Sequence, residues 1–238
     1  LKNLIRAGVN VFRINFSHAS YDEVDHYIQI IKELNKELDS NVAILADLQG
    51  PKIRLGNMHD NVSIKKGETI SFDCKNQFVG DKLKASISYI DFAKDVKKGD
   101  KVLVDDGKLI FEVISTDKKR IVKLKNIQGG LISSRKGINL PNTKISTPSL
   151  TEKDKKDLFF AISKEVDWIA LSFVRNAKDM QNLREIIEKQ SDEKIPIIAK
   201  IEKPEAIENI DKIIAYSDGL MVARGDLGVE VPAQEVPL

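Results

Sequence analysis

The chain is 238 residues long and nearly neutral: 38 Lys and Arg against 36 Asp and Glu leave a net charge of +2. The charges are interspersed and aromatics make up only 6%, which argues against a nucleic-acid partner, whether through a basic surface or a base-stacking platform. No apolar run approaches the ~18 residues of a membrane span, there is no signal-peptide pattern, and the single cysteine, Cys74, excludes an internal disulfide, so a cytoplasmic protein with no membrane partner is expected.

The chain opens on LKNLIRAGVN, in mid-helix and without an initiator Met, and reads as a fragment. GVNVFRINF has the composition of a buried strand. Ser20-Tyr21-Asp22-Glu23 fits a capping box, and Val24, Tyr27, Ile28, Ile31 and Leu34 follow at helical spacing. NVAILADL is a second strand, ending at Asp47 and followed by Gly50-Pro51 and the cations Lys52 and Arg54.

From 52 to 144 the pattern changes to short β-like runs and turns. VLVDDGKLIFEV predicts a hairpin with Asp-Gly at its turn, and KLKNIQGGLIS a second with Gly-Gly. This stretch is expected to be an inserted small β domain, barrel-like, between two parts (1–51 and 145–238) of an α/β domain.

Alternation returns after it. Thr151 caps a helix reaching Val166, with Asp154 three residues on. DWIALSFV is a strand, and Asn176 caps a helix carrying Met180, Leu183, Ile186 and Ile187. IPIIAKIE is a strand, and Pro204 starts a helix whose apolar face is Ile207, Ile210, Ile213 and Ile214. DGLMVARGD is the last strand.

Near-continuous apolar strands separated by helices imply a parallel sheet covered on both faces. Two closures fit, an open doubly wound sheet or an incomplete (β/α)8 barrel. Both place their sites at the carboxyl ends of the strands. There the alternation of side chains groups Arg13 with Asn15 and Ser17, Lys200 with Glu202, and Arg224 with Asp226. One charge at a strand end is ordinarily solvated, but several converging on one rim suit a Mg2+ held by Glu202 and Asp226 beside the cations Arg13 and Lys200.

Together GVNVFRINFSHAS, ADLQGPKIR, SSRKGINLP, AKIEKPEAIENIDKI and SDGLMVARGDLGVEVP resemble the pyruvate kinase family, in order and over essentially the whole chain. The resemblance implies a (β/α)8 TIM barrel with a β domain inserted after its third strand. It implies phosphoryl transfer from phosphoenolpyruvate to ADP, giving pyruvate and ATP, in a cytoplasmic homotetramer. Glu202 and Asp226 are similar to the ligands of Mg2+ (or Mn2+). Lys200 resembles the lysine at the transferring phosphoryl group, with Arg13 beside it. Gly225 and Asp226 would offer backbone N–H groups to the substrate carboxylate. Arg13, Asn15, His18, Arg54 and the lid residue Lys136 resemble the nucleotide contacts.

Asn15, Ser17 and Asp47 resemble the family's K+ ligands. The lysine at Lys52, where many relatives carry an acid, resembles the members that do not need K+, and is expected to supply that charge itself. The family's active-site threonine, its remaining barrel strands and its C-terminal domain fall outside this sequence, so the segment alone is expected to be poorly stable and inactive. Two other readings remain open on the residues: a Mg2+-dependent enolate-forming barrel lyase or aldolase, and a non-catalytic β module.

Overall fold

A helical turn, α1 (Lys2–Arg6), precedes the strand β1 (Val11–Asn15), helix α2 (Tyr21–Glu37) and strand β2 (Ala43–Asp47) in the computed structural model of the chain. The structure describes residues 1–238 except 18, 61, 142 and 238 and the side chain of Ala233. The middle of the chain forms β3 (Ile53–Arg54), β4 (Val62–Ile64), β5 (Thr69–Asp73), β6 (Lys84–Ser86), the turn α3 (Phe92–Asp95), β7 (Lys101–Val104), β8 (Leu109–Thr116), β9 (Ile121–Gln128), β10 (Gly130–Ile132) and β11 (Gly137–Asn139). Then come α4 (Glu152–Ser163), β12 (Trp168–Leu171), α5 (Ala177–Gln190), β13 (Ile197–Ile201), α6 (Pro204–Glu208), α7 (Ile210–Ala215), β14 (Gly219–Val222) and α8 (Arg224–Glu230).

The chain divides into two units. The first is Leu1–Pro51 with Pro148–Ala223; the second is Lys52–Thr147 with Arg224–Leu238. The sheet of the first unit is parallel, in the order β1-β2-β12-β13-β14. Spatial order therefore equals chain order, with no reversal point. A doubly wound sheet reverses its strand order midway, so this is the succession of a (β/α)8 barrel, present in part. Asn15 and Ala170 both pair with Asp47 across the sheet, which brings the strands' carboxyl ends to one rim.

Capping fixes the helices. Asn176 accepts from the Lys178 and Asp179 N–H groups, and Thr151 and Asp154 form a reciprocal capping box. The predicted box at Ser20 is only half formed: Ser20 accepts from the Glu23 N–H, but the Glu23 carboxylate takes the Ser20 hydroxyl rather than its backbone N–H. Helix α4 stops at Ser163, short of the predicted Val166. The helix after Pro204 breaks at Asn209 into α6 and α7, so its isoleucines do not form one face. Ile213 is buried, whereas Ile207 and Ile214 are exposed. The last strand ends at Val222, and Arg224 and Asp226 lie in the first turn of α8, not on a strand face.

The second unit is a seven-stranded sheet, β3-β11-β7-β8-β9-β5-β6, with a two-stranded ribbon, β10-β4. A bridge between Leu55, next after β3, and Ile87, next after β6, closes the larger sheet on itself. Its core holds Phe72, Phe92 and Phe111, with ring centroids 6.3 and 5.9 Å from Phe72, and also Cys74. The Asp-Gly hairpin forms as β7-β8. The Gly-Gly hairpin does not. β9 pairs with β8 and β5, while β10 pairs with β4, so Gly129 marks a change of sheet. A Cβ at Gly129 would lie 2.5 Å from the Ile64 carbonyl oxygen, which is why only glycine fits there.

Candidate active site

Strand β2 is apolar because its side chains are buried on both faces, and Asp47 is its last residue. The carboxylate is 1% exposed, and a charge so placed must be paired. Arg13 of β1 supplies Nε at 2.6 Å from Oδ2. Lys200 of β13 supplies Nζ at 3.1 and 3.2 Å from the two oxygens. Lys200 also donates to the Ser172 hydroxyl at 2.9 Å and lies 3.1 Å from Glu202 Oε1. Its ammonium group thus has a partner for each of its three hydrogens. The cluster sets two cations against two carboxylates, with Asp47, Lys200 and Glu202 buried and Arg13 reaching Asp47 from the half-exposed edge.

The other oxygen of Glu202 accepts the Phe173 N–H at 2.9 Å. Phe173 has φ +55°, a left-handed conformation that costs a side-chain-bearing residue roughly 1–3 kcal/mol. Gly50 explains the break after Asp47. It has φ +68°, and a Cβ there would stand 2.9 Å from the Phe173 ring and 3.0 Å from the Ser172 Cβ. Its N–H is taken by the buried carboxylate of Asp154 at 3.0 Å. Pro51 then closes the first unit's contribution.

The end of β1 is held by its own turn and by α4. The Ser17 N–H donates to Asn15 Oδ1 at 3.0 Å, and the Phe16 N–H to the Asp47 carbonyl. Lys153 donates to the Phe16 carbonyl at 2.9 Å and to Asp157 Oδ2 at 2.6 Å. The Tyr21 hydroxyl donates to Asp157 Oδ1 at 2.8 Å. Burial, then the hydrogen bond to Asp157 and its negative charge, push the Tyr21 phenol up to about 12. The His18 expectation lies outside the described residues.

In the second unit Lys52 Nζ is 3.6 Å from Asp226 Oδ1, both partly exposed. Within the first unit the cations that meet Asp47 are Arg13 and Lys200. Lys136 pairs with Asp105 at 3.0 Å. Burial raises the Asp105 carboxyl, but the hydrogen bonds and charges of Lys136 and Lys108 outweigh it and hold it below its ordinary value. Arg54 donates to the Arg135 carbonyl at 3.2 Å. Gly225 and Asp226 lie at the start of α8, with open space beside Gly225.

Sequence reading therefore identified Arg13, Asp47, Lys200 and Glu202, which the first unit brings together. It missed Ser172, the polar residue that closes the WIAL run at the same rim, and Lys153 and Asp157, which read as ordinary charges of a helix.

A family model described as pyruvate kinase, barrel domain, matches residues 1–238. The chain is 44% identical over 239 residues to a pyruvate kinase of Clostridium perfringens, covering 100% of this chain and 50% of that protein. It is 42% identical over 235 residues to one of Clostridium acetobutylicum, covering 98% and 50%, and 43% identical over 240 residues to one of Geobacillus stearothermophilus, covering 100% and 41%. The chain spans about half the length of the curated relatives it matches.

Proposed function

The chain belongs to the pyruvate kinase family, and on that premise we propose that the protein carrying it transfers a phosphoryl group from phosphoenolpyruvate to ADP. The observation that supports this most is the buried Lys200, held by Asp47, Ser172 and Glu202. A phosphoryl group in flight carries charge on its oxygens, and a fixed cation in a dry site stabilises it without reorganising.

Glu202 and Asp226 would hold the Mg2+ (or Mn2+). Both are hard oxygen donors, and Mg2+ takes one or two carboxylates with substrate oxygens and water completing its shell. The described residues contain no cluster of three or more His, Cys, Asp or Glu able to hold a metal, so a site completed by substrate is the one these donors fit. When bound, the metal would neutralise phosphoryl and enolate charge as a Lewis acid.

The bond from phosphorus to the enol oxygen breaks as a β-phosphate oxygen of ADP takes the phosphorus. Lys200, with Arg13 beside it, faces the moving phosphoryl. The enolate left behind takes a proton at its methylene carbon and becomes pyruvate. Gly225 and Asp226 offer N–H groups to the substrate carboxylate. Arg13, Asn15, His18, Arg54 and Lys136 contact the nucleotide. The cytoplasmic location and homotetramer expected from the family belong to the same proposal, as does the division of the chain into a barrel and an inserted lid.

K+ independence is part of it too. Lys52 provides a fixed positive charge on the Asp226 side, while Asn15 Oδ1 is already occupied by the Ser17 N–H and Asp47 by two cations. The test is a phosphoenolpyruvate-plus-ADP assay on the complete protein with Mg2+, first without and then with K+. Full rate without K+ is expected. Activity only with K+ would overturn the role of Lys52 and leave the activity standing. Folded protein inactive in both would overturn the activity itself.

A further inference from the structure

We propose that Ser149 is a positioning residue for the divalent-metal site, acting on Glu202 through the peptide of Phe173; this rests on the proposed metal role of Glu202. The Phe173 peptide groups are held on both sides. Its N–H donates to Glu202 Oε2 at 2.9 Å, and its carbonyl accepts from Ser149 Oγ at 3.0 Å. Ser149 is 1% exposed and is itself reached by Arg175 Nη2 at 3.3 Å. Between these two bonds the backbone keeps a left-handed φ of +55°, which a phenylalanine does not adopt unless its surroundings hold it there.

The consequence falls on the carboxylate. Glu202 Oε1 faces Lys200 at 3.1 Å, and a contact at one oxygen does not by itself set the plane of a carboxylate. The Phe173 N–H, at the other oxygen, is a second point that sets it. Removing the Ser149 hydroxyl takes a donor from the Phe173 carbonyl. The peptide can then relax toward negative φ, which swings the N–H away from Oε2. Carboxylates that bind metals are themselves held by hydrogen bonds, and losing such a partner typically lowers metal affinity about 10–100-fold. Ser149 donates to Phe173 and accepts from Arg175, and neither bond touches the Asp47–Lys200 pair.

The experiment measures Mn2+ affinity on the complete protein by the electron paramagnetic resonance signal of free Mn2+, with no phosphoenolpyruvate or ADP present. Ser149→Ala is expected to raise the Kd about 10-fold. Ser149→Cys, similar in size but a weaker donor, is expected to raise it less, and Ser149→Thr, which keeps the hydroxyl, to restore it. Glu202→Gln is the control and should weaken binding most. If Ser149→Ala binds Mn2+ like wild type while Glu202→Gln does not, the inference fails and the metal reading stands. The inference fails likewise if Ser149→Ala only lowers the melting temperature. If Glu202→Gln binds like wild type, both fail. Should Ser149→Ala not fold, the Ser149→Cys value decides, and an unchanged Kd overturns the proposal.

Discussion

Lys200 commits its ammonium group to two carboxylates and a hydroxyl, so its removal has two separable effects. Lys200→Met leaves Asp47 and Glu202 buried without their shared cation. Breaking a buried pair in this way is expected to cost about 3–5 kcal/mol of stability. Losing a group that stabilises transition-state charge lowers kcat by at least about 10²-fold. Thermal melts read the first effect and a phosphoenolpyruvate-plus-ADP assay the second; a variant that keeps its rate would remove Lys200 from the chemistry. Gly50 is the other single residue with a clear expectation. Gly50→Ala forces a Cβ into the Phe173 ring and Ser172 at a positive φ, and should destabilise the first unit by about 1–3 kcal/mol, measured by denaturant unfolding. The charged members of the cluster could be read in the sequence because an acid or a lysine ending an apolar run is hard to bury without a partner. Ser172 could not, since a small hydroxyl after WIAL is equally at home as solvated punctuation. The partner of Lys52 was also hidden, because ion-pair choice depends on distances that spacing does not encode.

Elements were legible where apolar residues dominated a run or where a cap announced the end. Strands β2, β12 and β13 came from apolar runs that are buried along most of their length, β1 forms where expected but none of its residues is buried, and the Thr151 and Asn176 caps located α4 and α5. The failures share a cause. ARGD continues an apolar run in composition, but the chain turns into α8 after Val222. Gly-Gly permits a tight turn and equally permits the close approach of β4 at Gly129. Tertiary pairing decided both. At this scale the tie between α2 and α4 through Tyr21 and Asp157 has a pH signature. The Tyr21 phenol is raised from about 10 to about 12, so the protonated form is favoured in the fold. Its contribution is complete below about pH 10 and disappears as pH rises through about 12. Tyr21 is 42% exposed, so the effect is small. Tyr21→Phe should flatten stability against pH across that window; an unchanged slope would mean the phenol is not coupled to folding.

Over the whole molecule, the second unit carries its own acid sensitivity. Burial raises the Asp73 carboxyl, but the Lys75 and Asn76 N–H groups, the Asn76 amide and Arg120 together hold it below its ordinary value. A lowered carboxylate adds stability that is present above the unfolded value, about 3.9, and is lost as pH falls below it. Acid unfolding of the second unit should therefore shift to higher pH in Asp73→Asn, seen by hydrogen exchange at β5 and β9. A transition that stays in place would assign the acid limit elsewhere.

Strands β2 and β12 are hydrogen-bonded neighbours, with Leu45 opposite Trp168, although the whole of Lys52–Thr147 lies between them in the chain. Bringing such distant segments together in an unfolded polypeptide carries a loop-closure entropy of roughly 4 kcal/mol. Within the inserted unit, β3 and β11 pair antiparallel, Ile53 opposite Ile138, so once folded it holds its own two ends side by side. The insertion then acts as a clasp that shortens the effective tether. This sets an order of assembly: β7, β8 and β9, built on close hairpin contacts, form first, and the β2–β12 seam closes afterwards. Pulse-labelled hydrogen exchange during refolding should find amides of β8 and β9 protected before those of Leu48 and Asp167, which donate across the seam to Ala170 and Ile44; simultaneous protection would show that the seam does not wait for the clasp.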